Sequence, residues 1–252
     1  MCVYTVELIL FTKQMEINCF QNNVDIALQA SLIHENIASS VANPADNANY
    51  ITLQLFLLHF TEELRREGVS SVFDFKWHSF LRYYYEKDAV AMRVMGSEHS
   101  WGGEYQGLWN LMVNTSDIRR AHTSILSNIK HGNGVLLQGP SGTGKTESLK
   151  ELGRCMAKYC VIFNCSSEVN IRTLQKLLSG LCYTGSWLCL DEINRLTAEI
   201  MSVVATQINS VRNAVVQGKE VFSFMGKDMR LKRGVGIFST MNPIYLKRAK
   251  LT

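Results

Sequence analysis

Residues Gly139-Pro140-Ser141-Gly142-Thr143-Gly144-Lys145-Thr146 set glycines, a lysine and a hydroxyl in the order G-x-x-x-x-G-K-[ST]. That order suits a loop that holds the phosphates of a nucleotide. Glycines let successive backbone N–H groups turn inward around an anion, and a helix opening at Gly144 adds the positive end of its dipole. Lys145 is then placed to reach the β- and γ-phosphates, and the Thr146 hydroxyl to ligate Mg²⁺. The plain alternative is a glycine turn with a surface lysine. A strand before the segment and a helix after it weigh against that.

A second constellation is Trp187-Leu188-Cys189-Leu190-Asp191-Glu192, an apolar strand ending in two carboxylates 46 residues after Lys145. Beside a phosphate loop, Asp191 can hold the Mg²⁺ shell, and Glu192 can orient and deprotonate the attacking water. An apolar run followed by Asp-Glu is common in itself. The single strand and helix between it and the loop make it specific, against the alternative of a solvated strand end. A third strand end is Ser239-Thr240-Met241-Asn242. Asn242 either bonds the γ-phosphate or the water, or sits in an ordinary turn ahead of Pro243. Asn194-Arg195 likewise has two readings: facing a neighbouring subunit's nucleotide, or capping the next helix.

These side chains act together only if regular elements converge on them. Val135-Leu136-Leu137 reads as a short strand running into the glycine loop, and the following helix puts Leu149, Leu152, Met156 and Tyr159 on one face. Val161-Ile162-Phe163 is the next strand, a helix follows around Ile171 to Leu178, and Trp187 to Leu190 is a third strand. A long helix from Thr197 to about Val215 carries Ile200, Val204, Ile208, Val211 and Val215 as its stripe. Val221 to Phe224 and Met229 to Leu231 read as a hairpin around Met225-Gly226-Lys227-Asp228, before a last strand from Val235 to Thr240. Strand alternating with helix from about Asn110 predicts an α/β fold with a parallel sheet. Residues 1 to about 95 read instead as mostly helical, with a good helix from Tyr50 to Glu67 stopped by Gly68. Phe73 to Lys87 is rich in aromatics and reads as a packing surface, and Met95 to Gly107 as a connection.

Composition removes several classes. With 46% hydrophobic residues and three prolines in 252, the chain is neither disordered nor a Pro-rich linker. No apolar run approaches the ~18 residues of a membrane helix, so no membrane partner is expected. No basic residue precedes Val6-Glu7-Leu8-Ile9-Leu10-Phe11, so a signal peptide is not indicated and an intracellular chain is the default. From Lys227 onward seven basic residues face one acidic, Lys247, Arg248 and Lys250 among them. Without interleaved aromatics such a tail makes no stacking platform, and no nucleic-acid partner is expected. The seven cysteines are expected to be reduced. Cys155, Cys160 and Cys165 lack a CxxC or a nearby histidine and read as core residues, not a metal site.

Taken together, GPSGTGKTE (Gly139 to Glu147), Phe163-Asn164-Cys165, TGSWLCLDEINR (Thr184 to Arg195) and IFSTMNP (Ile237 to Pro243) resemble the first AAA+ module of a dynein heavy chain. Phe75-Lys76-Trp77, Leu81-Arg82-Tyr83-Tyr84 and Trp101-Gly102-Gly103-Glu104-Tyr105-Gln106-Gly107 are similar to the end of the dynein linker and its junction with that module. The resemblance covers roughly residues 50 to 245, and residues 1 to about 48 match nothing nameable. It implies a helical linker end over 1–105 and a truncated AAA+ large subdomain without its lid over 106–252. It also implies a five-stranded core, with the Val221 to Leu231 hairpin as an insert. Gly139 to Glu147 would bind ATP, Thr146 and Asp191 would hold Mg²⁺, Glu192 would serve the water, and Asn242 would be the sensor. The implied partners are ATP and ADP, neighbouring AAA+ modules, and, through a complete motor, microtubules and dynein intermediate and light chains. The implied location is the cytoskeleton, in cytoplasm or a ciliary axoneme.

Several positions depart from the family. Ser141 replaces the usual alanine, and Leu190 and Ile193 replace usual phenylalanines. Asn114-Thr115 replaces Pro-Leu near the adenine, and Ile244-Tyr245-Leu246-Lys247 replaces Gly-Tyr-Ala-Gly. The lid, five further modules, the stalk and the arginine finger of a neighbouring module do not fit in the sequence. The isolated chain is therefore expected to bind nucleotide weakly and hydrolyse it very slowly. Alternatives are a non-hydrolytic nucleotide-binding module, a stand-alone P-loop remnant, or a P-loop ATPase acting on nucleic acid or protein. Glu192 argues against a site without turnover, and residues 97 to 226 lack the basic or aromatic loops of the last.

Overall fold

The structure is a computed structural model and describes residues 2–21, 26–41, 48–107, 111–113 and 115–243. Asn114, Ile244-Tyr245-Leu246-Lys247 and, of the basic tail, also Arg248 and Lys250 lie outside the described residues. The chain forms two compact units: Met1–Ser127 with Cys155–Ala157, and Asn128–Arg154 with Lys158–Thr252.

The first unit begins with helix α1 (Cys2–Gln14), a π-helical stretch Met15–Gln21, and α2 (Ile26–Val41). Helices α3 (Ala48–Arg66) and α4 (Phe75–Ser79) follow. The long helix read from the sequence is α3; it buries Leu53, Leu57, Leu58, Phe60 and Leu64 and ends just before Gly68, whose φ is +69°. The segment to about residue 95 is mostly helical, as expected, but its last part and the start of the expected connection form an antiparallel meander instead. Its strands are β1 (Arg82–Glu86), β2 (Ala89–Val94) and β3 (Ser97–Ser100). Its turns are Lys87-Asp88 (φ 51° and 59°) and Met95-Gly96 (φ 45° and 72°), each two residues in the left-handed region that suits the strand twist. Only one of those four residues is glycine, so the turns carry little sequence signal. Among the aromatics, Trp77, Phe80 and Tyr83 are buried, and Phe60 stacks on Phe80 at 4.4 Å. Phe73, Phe75 and Tyr85 are exposed, which limits the packing reading to part of that segment. Helix α5 (Ser116–Lys130) completes the elements that begin in this unit.

The second unit is built on β4 (Val135–Gln138), α6 (Lys145–Cys155), β5 (Cys160–Asn164), α7 (Ile171–Thr184) and β6 (Trp187–Asp191). A 3₁₀ turn, Ile193–Arg195, leads to α8 (Ala198–Val216), the hairpin β7 (Val221–Phe224) and β8 (Lys227–Arg230), and β9 (Gly236–Met241). The sheet is parallel, in the order β4-β9-β6-β5. The described residues supply four strands, where the resemblance implies five. Asn170 caps α7 by accepting from the Arg172 N–H, and Thr197 caps α8. Leu174, Leu178, Leu181 and Cys182 of α7 share one apolar cluster with Val204, Val211 and Ala214 of α8, Leu188 and Leu190 of β6, and Phe222, Phe224 and Met229 of the hairpin. The hairpin turn is Met225-Gly226, tighter than the four residues expected. Helix α6 ends at Cys155, so Leu149 and Leu152 form its buried stripe, whereas Tyr159 lies beyond the helix and is exposed.

The topology explains where chemistry can occur. Every strand of this sheet points the same way, and β9 lies between β4 and β6. The residues that leave the carboxyl ends of these three strands therefore emerge side by side, where open parallel sheets bind ligands. Among the described residues no helix is long and apolar enough to cross a membrane, and no group of three or more His, Cys, Asp or Glu is placed to hold a metal.

Candidate active site

The cleft at the carboxyl end of the sheet has about 530 Å³ of empty space and is lined by Ser141, Gly142, Gly144, Lys145, Thr146, Glu147, Asp191, Glu192, Thr240 and Asn242. All but Thr240 belong to the set named from the sequence. Gly139, Pro140 and Thr143 lie in the loop itself and brace it. Lys145 Nζ donates to the Gly139 carbonyl at 2.9 Å, the Pro140 carbonyl at 2.6 Å and Thr143 Oγ1 at 3.3 Å, and Thr143 Oγ1 donates to the Pro140 carbonyl at 2.9 Å. The loop curls because Gly142 and Gly144 adopt φ of +78° and +75°, a region that an L side chain rarely occupies. Its first residue is tied to β9, the Gly139 N–H bonding the Met241 carbonyl at 3.2 Å. Glu147 turns outward, and its carboxylate pairs with Lys150 at 2.6 Å.

Asp191 is the junction between strand and loop. Its Oδ1 accepts from Thr146 Oγ1 and from Thr240 Oγ1, each at 2.6 Å. The next residue, Glu192, has a left-handed backbone with φ 53° and ψ 52°, which costs about 1–3 kcal/mol in a non-glycine residue and persists only when its surroundings hold it. The Glu192 N–H donates to Thr240 Oγ1 at 2.9 Å, and the Glu192 carboxylate pairs with Arg195 Nε at 2.5 Å. Asn242 is buried; its Nδ2 donates to Ser141 Oγ, and its carbonyl accepts from Asn194 Nδ2 at 3.0 Å. Ser141, where the family usually has alanine, thus gives the asparagine a tether to the phosphate loop. Thr197 takes the cap of α8, and Asn194 and Arg195 turn instead toward Asn242 and Glu192.

Thr240 is the lining residue that sequence reasoning passed over. The signal was present: side chains two apart on a strand share a face, so Thr240 sits on the face of Asn242. The fit to Mg²⁺ can be judged from the donors. That ion takes oxygen ligands and retains several waters, so it needs few protein donors. The Thr146 hydroxyl and Asp191 carboxylate are oxygens already within 2.6 Å of each other, and they fit it.

The described cysteines of this unit are free thiols. Burial, and after it the charge of Asp191, pushes the Cys165 thiol up to about 12, and burial likewise raises Cys160 and Cys182 to about 12.

A parallel sheet, a glycine loop opening a helix, and two carboxylates and an asparagine at adjacent strand ends define a P-loop nucleotide-binding module of the α/β class. Residues 101–252 match the family described as the hydrolytic ATP binding site of dynein motor region, and the chain belongs to that family. It is 40% identical over 204 residues to the Dynein-1-beta heavy chain, flagellar inner arm I1 complex, of Chlamydomonas reinhardtii, covering 80% of this chain and 4% of that protein. It is 38% identical over 189 residues to Dynein axonemal heavy chain 3 of Mus musculus, covering 75% of this chain and 5% of that one. Identity to Dynein axonemal heavy chain 1 of Mus musculus is 37% over 201 residues, covering 80% and 5%. The chain thus spans 4% to 5% of the length of these relatives. It is an ATP-binding module of the dynein motor type.

Proposed function

We propose that this chain hydrolyses ATP in the cleft between the phosphate loop and the ends of β6 and β9. The observation that carries the reading is the bond from Thr146 to Asp191, which brings the loop hydroxyl and the strand carboxylate together beside Glu192. Backbone N–H groups of the loop and the Lys145 ammonium bind and orient the β- and γ-phosphates. Thr146 and Asp191 hold Mg²⁺, which when bound neutralises charge on the phosphate oxygens. Glu192 orients a water and takes its proton as the water oxygen bonds to the γ-phosphorus and the bond to ADP breaks. Asn242, just past the neighbouring strand, reads the γ-phosphate and shares its state with the loop through Ser141. Functionally, the ATPase subdomain is taken to be 106–252 and the linker end 1–105, a division supported by the family match that begins at residue 101.

In the longer heavy chain this module would act with neighbouring AAA+ modules to drive movement on microtubules, with intermediate and light chains as further partners. The flagellar and axonemal names of the relatives favour a ciliary setting. The decisive comparison is Glu192→Gln, which keeps the shape and removes the base. Single-turnover phosphate release is expected to fall by about 100-fold or more, while ATP affinity stays within about threefold. A wild-type chain that binds ATP and releases no phosphate would favour the non-hydrolytic alternative.

A further inference from the structure

We propose that Thr240 is a positioning residue that sets Asp191 for the metal ion and Glu192 for the water at the same time. The proposal rests on the hydrolytic reading given above and deepens it. Thr240 is 1% exposed on β9, at the strand end that lies against β6. Its hydroxyl has one proton to give and lone pairs to accept with, and both capacities are used. The proton goes to Asp191 Oδ1 at 2.6 Å, and a lone pair takes the Glu192 N–H at 2.9 Å.

One hydroxyl therefore fixes two consecutive residues with different tasks. The bond to Oδ1 limits rotation of the Asp191 carboxylate. Thr146 donates to that same oxygen, so when Thr146 turns to the ion, Thr240 is the hydroxyl left to hold the carboxylate. The bond from Glu192 N–H satisfies a backbone donor at the left-handed residue that aims the base. Without that acceptor the turn loses the contact that offsets its backbone cost. Methyl packing alone cannot do this, because both contacts are made by the oxygen.

Thr240→Val keeps the shape and removes both bonds, Thr240→Ser keeps both, and Thr240→Ala repeats the loss if valine does not fold. Two readouts on the full chain are needed. The first is the Mg²⁺ concentration that gives half the metal-dependent gain in affinity for a fluorescent ATP analogue. The second is single-turnover phosphate release. Loss of an outer hydrogen bond to a metal ligand typically costs 10–100-fold, so valine is expected to raise the Mg²⁺ midpoint about tenfold and slow release about tenfold or more. Affinity without metal should stay within about twofold, since the loop and Lys145 are untouched, and serine should stay near wild type on both readouts. The proposal is overturned if valine and alanine leave both readouts within about twofold of wild type. It also fails if they weaken metal-free affinity as much as the metal-dependent gain, or if serine behaves like valine. A wild-type chain that binds the metal–nucleotide pair without releasing phosphate would sink hydrolysis instead, and the Mg²⁺ midpoint would still decide Thr240.

Discussion

Around Asp191 charge and thiols lie close together. Its backbone carbonyl accepts the Cys165 N–H at 2.9 Å, and Cys189 precedes it by two positions on β6, on the same side of the strand. A carboxylate and a thiolate side by side would repel each other, and burial already disfavours the thiolate. Burial first, then that charge, raises the Cys165 thiol to about 12, and Cys189 is raised as well, by burial first and then by the adjacent Cys160 thiol and Asp191. At pH 8 a thiol that titrates near 12 or above is almost wholly protonated, and only the thiolate reacts. Alkylation of Cys160, Cys165, Cys182 and Cys189 by iodoacetamide at pH 8 should therefore be about 1000-fold slower in the folded chain than after denaturation. Peptide mapping after timed quenching reads each site separately. Rapid labelling of Cys165 in the folded state would show that the thiol beside the carboxylate is not held as described.

Helix α7 must stop sharply, because β6 begins two residues after Gly185. Gly185 takes φ +70°, bonds the Leu181 carbonyl at 2.9 Å, and approaches the Arg233 carbonyl so closely that a Cβ would lie 2.7 Å from it. Gly218, just past α8, has φ +63° and no atom within 4 Å of an added Cβ. Alanine at Gly218 therefore meets only the backbone penalty, about 1 kcal/mol, whereas alanine at Gly185 adds a collision with backbone. Thermal unfolding should place Gly185→Ala below Gly218→Ala by several degrees, roughly 2–4 °C for each additional kcal/mol. Equal melting temperatures would mean that the Arg233 carbonyl yields freely. The sequence reveals much at this level where periodicity is strong: α3, α8 and the strands of the parallel sheet follow from local pattern, whereas the cap of α8 falls on Thr197 and not on Asn194-Arg195. The meander of Arg82 to Ser100 is hidden because Lys87-Asp88 lacks the glycine that usually announces such a turn. Thr240 is hidden for a different reason. Its role arises only when β9 pairs with β6, a contact between residues 48 and 49 positions apart in the chain. Local pattern marks Asn242 as a strand-end polar group, but not the hydroxyl two residues before it as the partner of Asp191.

For the molecule as a whole the balance of charge in the cleft sets the rate. Phosphoryl transfer spreads negative charge over the equatorial oxygens, and catalysis depends on how much fixed positive charge meets it. Lys145 is the one cation among the described residues that line the cleft. Arg195, the nearest candidate along the chain, has its Nε 2.5 Å from the Glu192 carboxylate, and half of its side chain faces solvent. Directed at Glu192, it is not placed on a phosphate. A second cation supplied from outside the module is worth about 10³ to 10⁵ in rate in related phosphoryl-transfer sites. The purified 252-residue chain should accordingly bind MgATP and turn it over far below one per second. The slow rate should depend on Glu192, as contamination by another ATPase would not. Adding guanidinium ion or free arginine should raise the rate of the wild type, because a small cation can enter the open cleft and meet part of the missing charge. It should leave Glu192→Gln inactive, since the base is still lacking. Multiple-turnover phosphate release, measured with and without the additive on both chains, tests this directly. Turnover of several per second by the chain alone would mean that Lys145 and the metal ion suffice and that no outside cation is required.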